Sequence, residues 1–178
     1  MKIFFVIGSN GVGKSTLVDL LKRSLISDFE IHDFDERGVP NDANKSWRQT
    51  ELLYWLTLSK QNLDREISTI ICGFVKPIEI LESSRNLEIE PIVCLLDVVK
   101  SELELRLLKR YNSEIAINEL MRTTGKSVEK FLQDSIYTSS LLRIESERCK
   151  FFILNTSLQS PQQVAEKVIS WISASMNS

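Results

Sequence analysis

Residues 2–16 read KIFFVIGSNGVGKST, an unbroken apolar run that stops at a glycine-rich turn, Gly8 to Ser15, and passes into an amphipathic segment. The turn fits GxxxxGK[ST], the P-loop pattern, and each part of it has a physical reason. Gly8, Gly11 and Gly13 permit backbone angles and close approaches that a side chain would block. The amides of Ser9, Asn10, Gly11, Val12 and Gly13 can then converge on phosphate oxygens at a helix N-terminus. Lys14 adds a point charge near the β- and γ-phosphates, Ser15 offers a hydroxyl to Mg²⁺, and Thr16 caps the helix or touches the α-phosphate. The stretch therefore predicts a bound nucleoside triphosphate, with Mg²⁺, held between a strand and a helix.

The rest of the chain supplies that context. Residues 2–7, KIFFVI, are apolar at every position after Lys2, as in a strand buried on both faces, and Lys14 to Ile26 carries a helical stripe at Leu17, Leu20, Leu21, Leu25 and Ile26. Further apolar runs at Glu30–Phe34, Thr69–Val75, Ile89–Val98 and Lys150–Leu154 alternate with helical patterns. Five strands arranged so predict a parallel, doubly wound α/β fold in three layers. Ser160, Pro161 and Gln163 read as a cap, a first-turn proline and a capping-box partner for the last helix. A single domain over residues 1–178 is expected, with a helical excursion between Tyr111 and Lys130 as a lid. A second GKS at Gly125–Ser127 lacks both the glycine at position 120, which is Leu120, and a preceding strand, so it is not read as a second loop.

Composition narrows the setting. The chain of 178 residues is 43% hydrophobic, enough for one sizeable core, and its formal charge is −2, with no basic excess that would point to nucleic acid. Cys72, Cys94 and Cys149 are far apart and set in apolar runs, so they read as buried reduced thiols of a cytoplasmic protein. The leading apolar run ends at the glycine turn without a cleavage site, and no signal peptide or membrane span is expected. Monomer and homodimer both remain open.

The second strand carries Asp33 and Asp35 in EIHDFDERG, at the sheet end where ligands of open α/β folds bind. One carboxylate could order Mg²⁺ through water while the other receives a proton from an attacking hydroxyl. Capping of the following turn is the alternative use of either. His32, the only histidine, is assigned a structural or exposed role. Trp47, Tyr54 and Trp55 are expected to be core for at least two of the three, or else to wall an acceptor pocket.

These residues resemble the P-loop small-molecule kinases, the nucleoside, nucleoside monophosphate and shikimate/gluconate types. DFD resembles their DxD, WRQTE (Trp47, Arg48, Glu51) is similar to FRxxE in their substrate helix, and IVCLLDVVKSELELRLLKR resembles the fourth strand followed by an RxxxR helix. The resemblance implies that Arg106 lies against the adenine and that Arg110 approaches the transferring phosphoryl group. It also implies that Arg48 clamps an anionic or polar group of the acceptor, that Gly73 approaches the acceptor, and that Asn155 and Thr156 meet the adenine edge. Lys14, Asp35 and Arg110 are the expected catalytic set, Ser15 and Asp33 the metal set, and Asp33, Asp35, Arg48 and Gly73 the acceptor set. Arg122 and Lys126 are the lid cations, expected to stand solvated at the surface or else to close on the γ-phosphate. The short stretch before WRQTE and the GFVKP turn depart from shikimate kinases and put shikimate itself in doubt. The expected activity is ATP-dependent, Mg²⁺-requiring transfer of the γ-phosphoryl group to a small hydroxylated or phosphorylated acceptor. A nucleotide-hydrolysing regulatory module, and a non-catalytic nucleotide-binding one, are the other readings.

Overall fold

A computed structural model of the chain describes residues 1–25, 28–40 and 43–177; Ile26, the last position of the expected stripe, lies outside them. Strands β1 (Ile3–Ile7), β2 (Phe29–Asp33), β3 (Ser68–Gly73), β4 (Ile92–Asp97) and β5 (Phe152–Asn155) form one parallel sheet in the order β2-β3-β1-β4-β5. Helices α1 (Lys14–Ser24), α2 (Lys45–Asp64), α3 (Pro77–Asn86), α4 (Lys100–Arg110), α5 (Glu114–Thr124), α6 (Val128–Arg148) and α7 (Pro161–Met176) accompany it.

β1 is central and buried at every position, which is why KIFFVI needs no polar alternation. Its side chains alternate between two cores. Phe4 and Val6 pack with Leu17 and Leu21 of α1 and Val168 and Ile172 of α7, while Ile3, Phe5 and Ile7 pack with Leu52, Trp55 and Leu56 of α2, Ile80 of α3 and Leu142 of α6. Phe4 and Phe5 are fully buried, and each contributes roughly 2 kcal/mol of transfer free energy. The expected three layers are therefore present.

β3, β4 and β5 begin or end two residues or more inside the apolar runs, for two reasons. Residues 89–91 and 150–151 are apolar or flank apolar runs, yet they close the preceding helices. At the ends of α2, α3 and α6, Glu66, Glu88 and Lys150 adopt φ of 59°, 57° and 57°. The next amide then donates back to the helix: Ile67 to the Asn62 carbonyl, Ile89 to Ser84 and Phe151 to Ser146, at 2.9–3.0 Å. These are Schellman closures made without glycine. Residues 74 and 75, expected in the third strand, instead turn the chain into α3, whose first residue is Pro77.

The expected cap of α7 is present: Ser160 Oγ accepts from the Gln163 amide at 3.2 Å and Gln163 Oε1 from the Ser160 amide at 2.8 Å. The segment 111–130 is helical as expected, with α5 at its centre. The second GKS is a helix joint in which Gly125, at φ 66°, ends α5 and Ser127 caps α6 through the Lys130 amide.

Candidate active site

The turn after β1 is held from behind. A Cβ at Gly8 would meet Val12 Cγ2 at 2.7 Å and the Leu96 carbonyl at 3.0 Å, so the loop lies directly on β4. Gly13, at φ 103°, opens α1 with free space around its missing Cβ. No side chain caps α1 and no acidic residue stands in its first turn. Its first amides therefore face a cleft without a protein acceptor, an arrangement that favours an anion.

That cleft is a cavity of about 880 Å³ walled by residues 10–17 of the loop and helix and by Asp33, Asp35, Arg106 and Arg110. Of the loop residues singled out from the sequence, Asn10 to Thr16 line it. Gly8 and Ser9 are buried behind it, where the Ser9 carbonyl receives Lys14 Nζ at 2.8 Å. Thr16 lies inside α1, so it is not the cap. Enclosure by the loop lowers Lys14 from 10.5 to about 8, although Asp35 and Asp33 oppose this.

β2 ends at Asp33, so Asp35 stands in the turn beyond it. Both carboxylates still line the cavity. Asp33 also fixes the turn, since its Oδ1 accepts from the Asp35 amide at 3.0 Å. Partial enclosure raises the Asp35 carboxyl above its ordinary value, the neighbouring Asp33 adds to this, and Lys14 opposes it. Glu36, which sequence reasoning passed over, also reaches the cavity and holds His32 Nδ1 at 2.6 Å. His32 packs against the Trp55 ring at 4.7 Å, a structural role.

The RxxxR pair divides. Arg106 is tied to Glu102 at 2.5 Å, to the Thr156 carbonyl at 2.9 Å and to Thr156 Oγ1 at 3.2 Å, so its guanidinium is fixed at the side of the cavity. Thr156 is buried beneath it, and Asn155 accepts from the Ser157 amide. The wall at that side is instead Gln159, Pro161 and Val164. A polar residue immediately before a capped helix was the only sequence signal for Gln159. Arg110 lines the cavity and forms no ion pair among the described residues; its guanidinium lies 5.5 Å from the Tyr111 ring centre.

A second cavity of about 300 Å³ opens beside the first and shares Asn10 and Asp35 with it. Trp47, Arg48, Phe74, Lys126 and Ser135 are among its walls. Arg48 points its fork at Glu79 of α3, Nε and Nη2 each 2.9 Å from a carboxylate oxygen. Burial pushes Glu79 up, but the Arg48 hydrogen bonds and charge outweigh it and hold the carboxyl below its ordinary range. Gly73 reaches neither cavity: a Cβ there would lie 2.1 Å from Phe34 Cβ, so this glycine is where β3 and the β2 turn pack together. The following residue, Phe74, faces the pocket. Trp55 is core and donates to the Phe34 carbonyl at 3.0 Å, Trp47 is half-buried on the pocket wall, and Tyr54 is exposed beneath Arg37. Arg143, unassigned from the sequence, binds the buried Asp97 at the end of β4 at 3.0 Å.

No family model matches the sequence, and no curated protein is similar to it in sequence. Solved structures share its fold. An unliganded sugar kinase from Janibacter sp. HTCC2649 superposes with a TM-score of 0.66 at 19% identity, covering 97% of this chain and 95% of that one. The tunicamycin resistance protein of Deinococcus radiodurans follows at 0.63 and 14%, covering 96% and 95%. Shikimate kinase from Acinetobacter baumannii in complex with shikimate gives 0.60 and 16%, covering 98% and 94%. The likeness is one of fold: the chain shares the architecture of these solved structures, the sugar kinase and shikimate kinase among them.

Proposed function

We propose that this protein is an ATP-dependent phosphotransferase that moves the γ-phosphoryl group to a hydroxyl of a small acceptor. The observation that carries the proposal is the meeting of two cavities at Asn10 and Asp35, one lined by the uncapped amides of α1 and one by Trp47 and Phe74. A nucleotide hydrolase needs the first cavity and not the second.

The α1 amides and Lys14 would hold the donor phosphates, and Arg110, free of carboxylates, would neutralise charge on the transferring group. Arg106 and Gln159 would frame the base. No group of three or more His, Cys, Asp or Glu side chains is placed to hold a metal among the described residues. The donor set therefore fits Mg²⁺ bound mainly by phosphate oxygens, with the Ser15 hydroxyl and, through water, Asp33. When bound, Mg²⁺ would supply neutralisation of phosphate charge. Asp35 would accept the proton of the acceptor hydroxyl as the new O–P bond forms and the bond to the β,γ-bridging oxygen breaks, releasing ADP. Within what we take as a single-domain chain, α5 and residue Lys126 would close over the site as its lid. The buried free thiols of Cys72 and Cys94 support a cytoplasmic setting.

The test is transfer from [γ-³²P]ATP to a panel of nucleosides, nucleotides, sugars and sugar acids. Label in an acceptor is expected; label found only as orthophosphate refutes the reading.

A further inference from the structure

The pocket beside Asp35 carries cations that are already spent. The Arg48 guanidinium, the anion clamp expected from the sequence, gives two of its donors to Glu79, with the two side chains only 17% and 5% exposed. Lys126 Nζ sits 2.8 Å from Asp134 Oδ2, and Lys130 takes the other oxygen of that carboxylate at 2.9 Å. Among the described residues the two cations lining the pocket, Arg48 and Lys126, each contact a carboxylate, Lys126 sharing Asp134 with Lys130, and Asp35 adds a negative group at the mouth. A phosphate or carboxylate placed there would lose its water and find no unpaired cation, a desolvation cost without return.

What the pocket does offer is apolar surface and neutral hydrogen-bonding groups. Trp47 and Phe74 present ring surface. Ser135, 2% exposed on α6, turns into the same wall with its Oγ unpartnered. A buried hydroxyl without a partner is costly until something pairs with it. At about 300 Å³ the space suits a molecule of one or two rings.

From these observations, and resting on the phosphotransferase reading, we infer that the acceptor is an uncharged, hydroxyl-bearing ring compound. It lies against Trp47 and Phe74, hydrogen-bonds to Ser135 and presents its reacting hydroxyl to Asp35. The Arg48–Glu79 pair is the element that discriminates against anionic acceptors. Transfer converts this neutral alcohol to a phosphomonoester, with the proton on Asp35 and ADP as leaving group. The phosphorylated product is then of the class the pocket disfavours, which assists its release.

The experiment uses the full chain with MgATP and paired acceptors that differ only in charge: nucleosides against their 5′-monophosphates, and aldoses against their aldonates. The neutral member of the accepted pair is expected to have a kcat/KM larger by about tenfold or more. The pair that responds tells the nucleoside source from the sugar source. Equal or greater transfer to the anionic members overturns this inference and leaves the kinase reading standing. Label released only as orthophosphate overturns the kinase reading, and this inference with it. Glu79→Gln, which frees the Arg48 charge, is expected to narrow the neutral-over-anionic preference by about tenfold; an unchanged preference in the folded variant removes the pair from any part in selection. Should that variant misfold, thermal melts of the unmodified protein with MgADP carry the same question. Neutral acceptors should raise Tm above the MgADP value and their anionic partners should not, and the reverse order overturns the inference.

Discussion

Replacing Lys14 with Met is expected to stabilise the ligand-free protein while removing its hold on MgATP. Enclosure by the loop brings Lys14 from 10.5 down to about 8, so an ammonium is kept in a place that disfavours it. At about 1.4 kcal/mol per pH unit, that interval corresponds to a cost of up to about 3 kcal/mol. An unfolded lysine keeps its proton to about 10.5, whereas the folded one releases it near 8. The cost is therefore complete below pH 8 and fades as pH rises from 8 to 10.5. Urea melts of the natural protein should show stability rising across that window, and those of the variant should not. At pH 7 the variant should be the more stable of the two by up to about 3 kcal/mol, less any change in packing. Phosphate charge would return the proton. Calorimetry in two buffers of different ionisation enthalpy should then find roughly 0.5 proton taken up with MgATP at pH 8 and about 0.9 at pH 9, and none with the variant. A natural protein whose stability is flat between pH 8 and 10.5, together with MgATP binding that takes up no proton, would refute the assignment of Lys14 as an enclosed ammonium waiting for an anion.

Other outcomes follow from the same geometry. Gly73→Ala should destabilise by about 2–4 kcal/mol, because overpacking against Phe34 Cβ must displace either β3 or the β2 turn; a urea midpoint within error of the natural protein would contradict that packing. Glu66→Gly, Glu88→Gly and Lys150→Gly should each stabilise by about 0.5–1 kcal/mol, since each exposed residue holds a left-handed angle that glycine adopts freely, and a loss in all three would speak against the closures described. Asp35→Asn should lower kcat by at least about 100-fold if the carboxylate is the proton acceptor. Because Asp35 is raised, the acid limb of the natural kcat/KM profile should lie above the ordinary aspartate value of about 4; full activity of the variant would exclude the role.

The walls of the larger cavity were legible because their signals are local. GSNGVGKS, the two aspartates at and just beyond the end of β2 and the four-residue spacing of Arg106 and Arg110 each fit within a turn or two of chain, and spacing fixes their geometry. The capping box at Ser160 and the rejection of the second GKS were legible for the same reason. The smaller cavity depends on where separate elements meet. Arg48 and Glu79 are 31 residues apart, and nothing in WRQTE says that α3 will bring a carboxylate to meet it. Gly73 looked like a gap left for a ligand, yet the gap is filled by Phe34 from the neighbouring strand. Strand ends were misplaced because an apolar residue after a helix serves equally as the closing contact of that helix or as the first residue of a strand. At Ile89 and Phe151 the helix claims it.

The joint at Gly125–Ser127 bears on the entropy of closure. An unstructured lid of similar span would lose about 1–2 kcal/mol per residue on ordering over a substrate. Here α5 already runs as a helix from Glu114 to Thr124, stopped by a left-handed glycine at one end and capped by Ser113 at the other. If α5 serves as the proposed lid, such a rod, about 16 Å long, would move by changing a few torsions at its two ends. The freedom surrendered on closing would then be confined to those hinges, leaving most of the binding free energy of the proposed acceptor available for placing its hydroxyl.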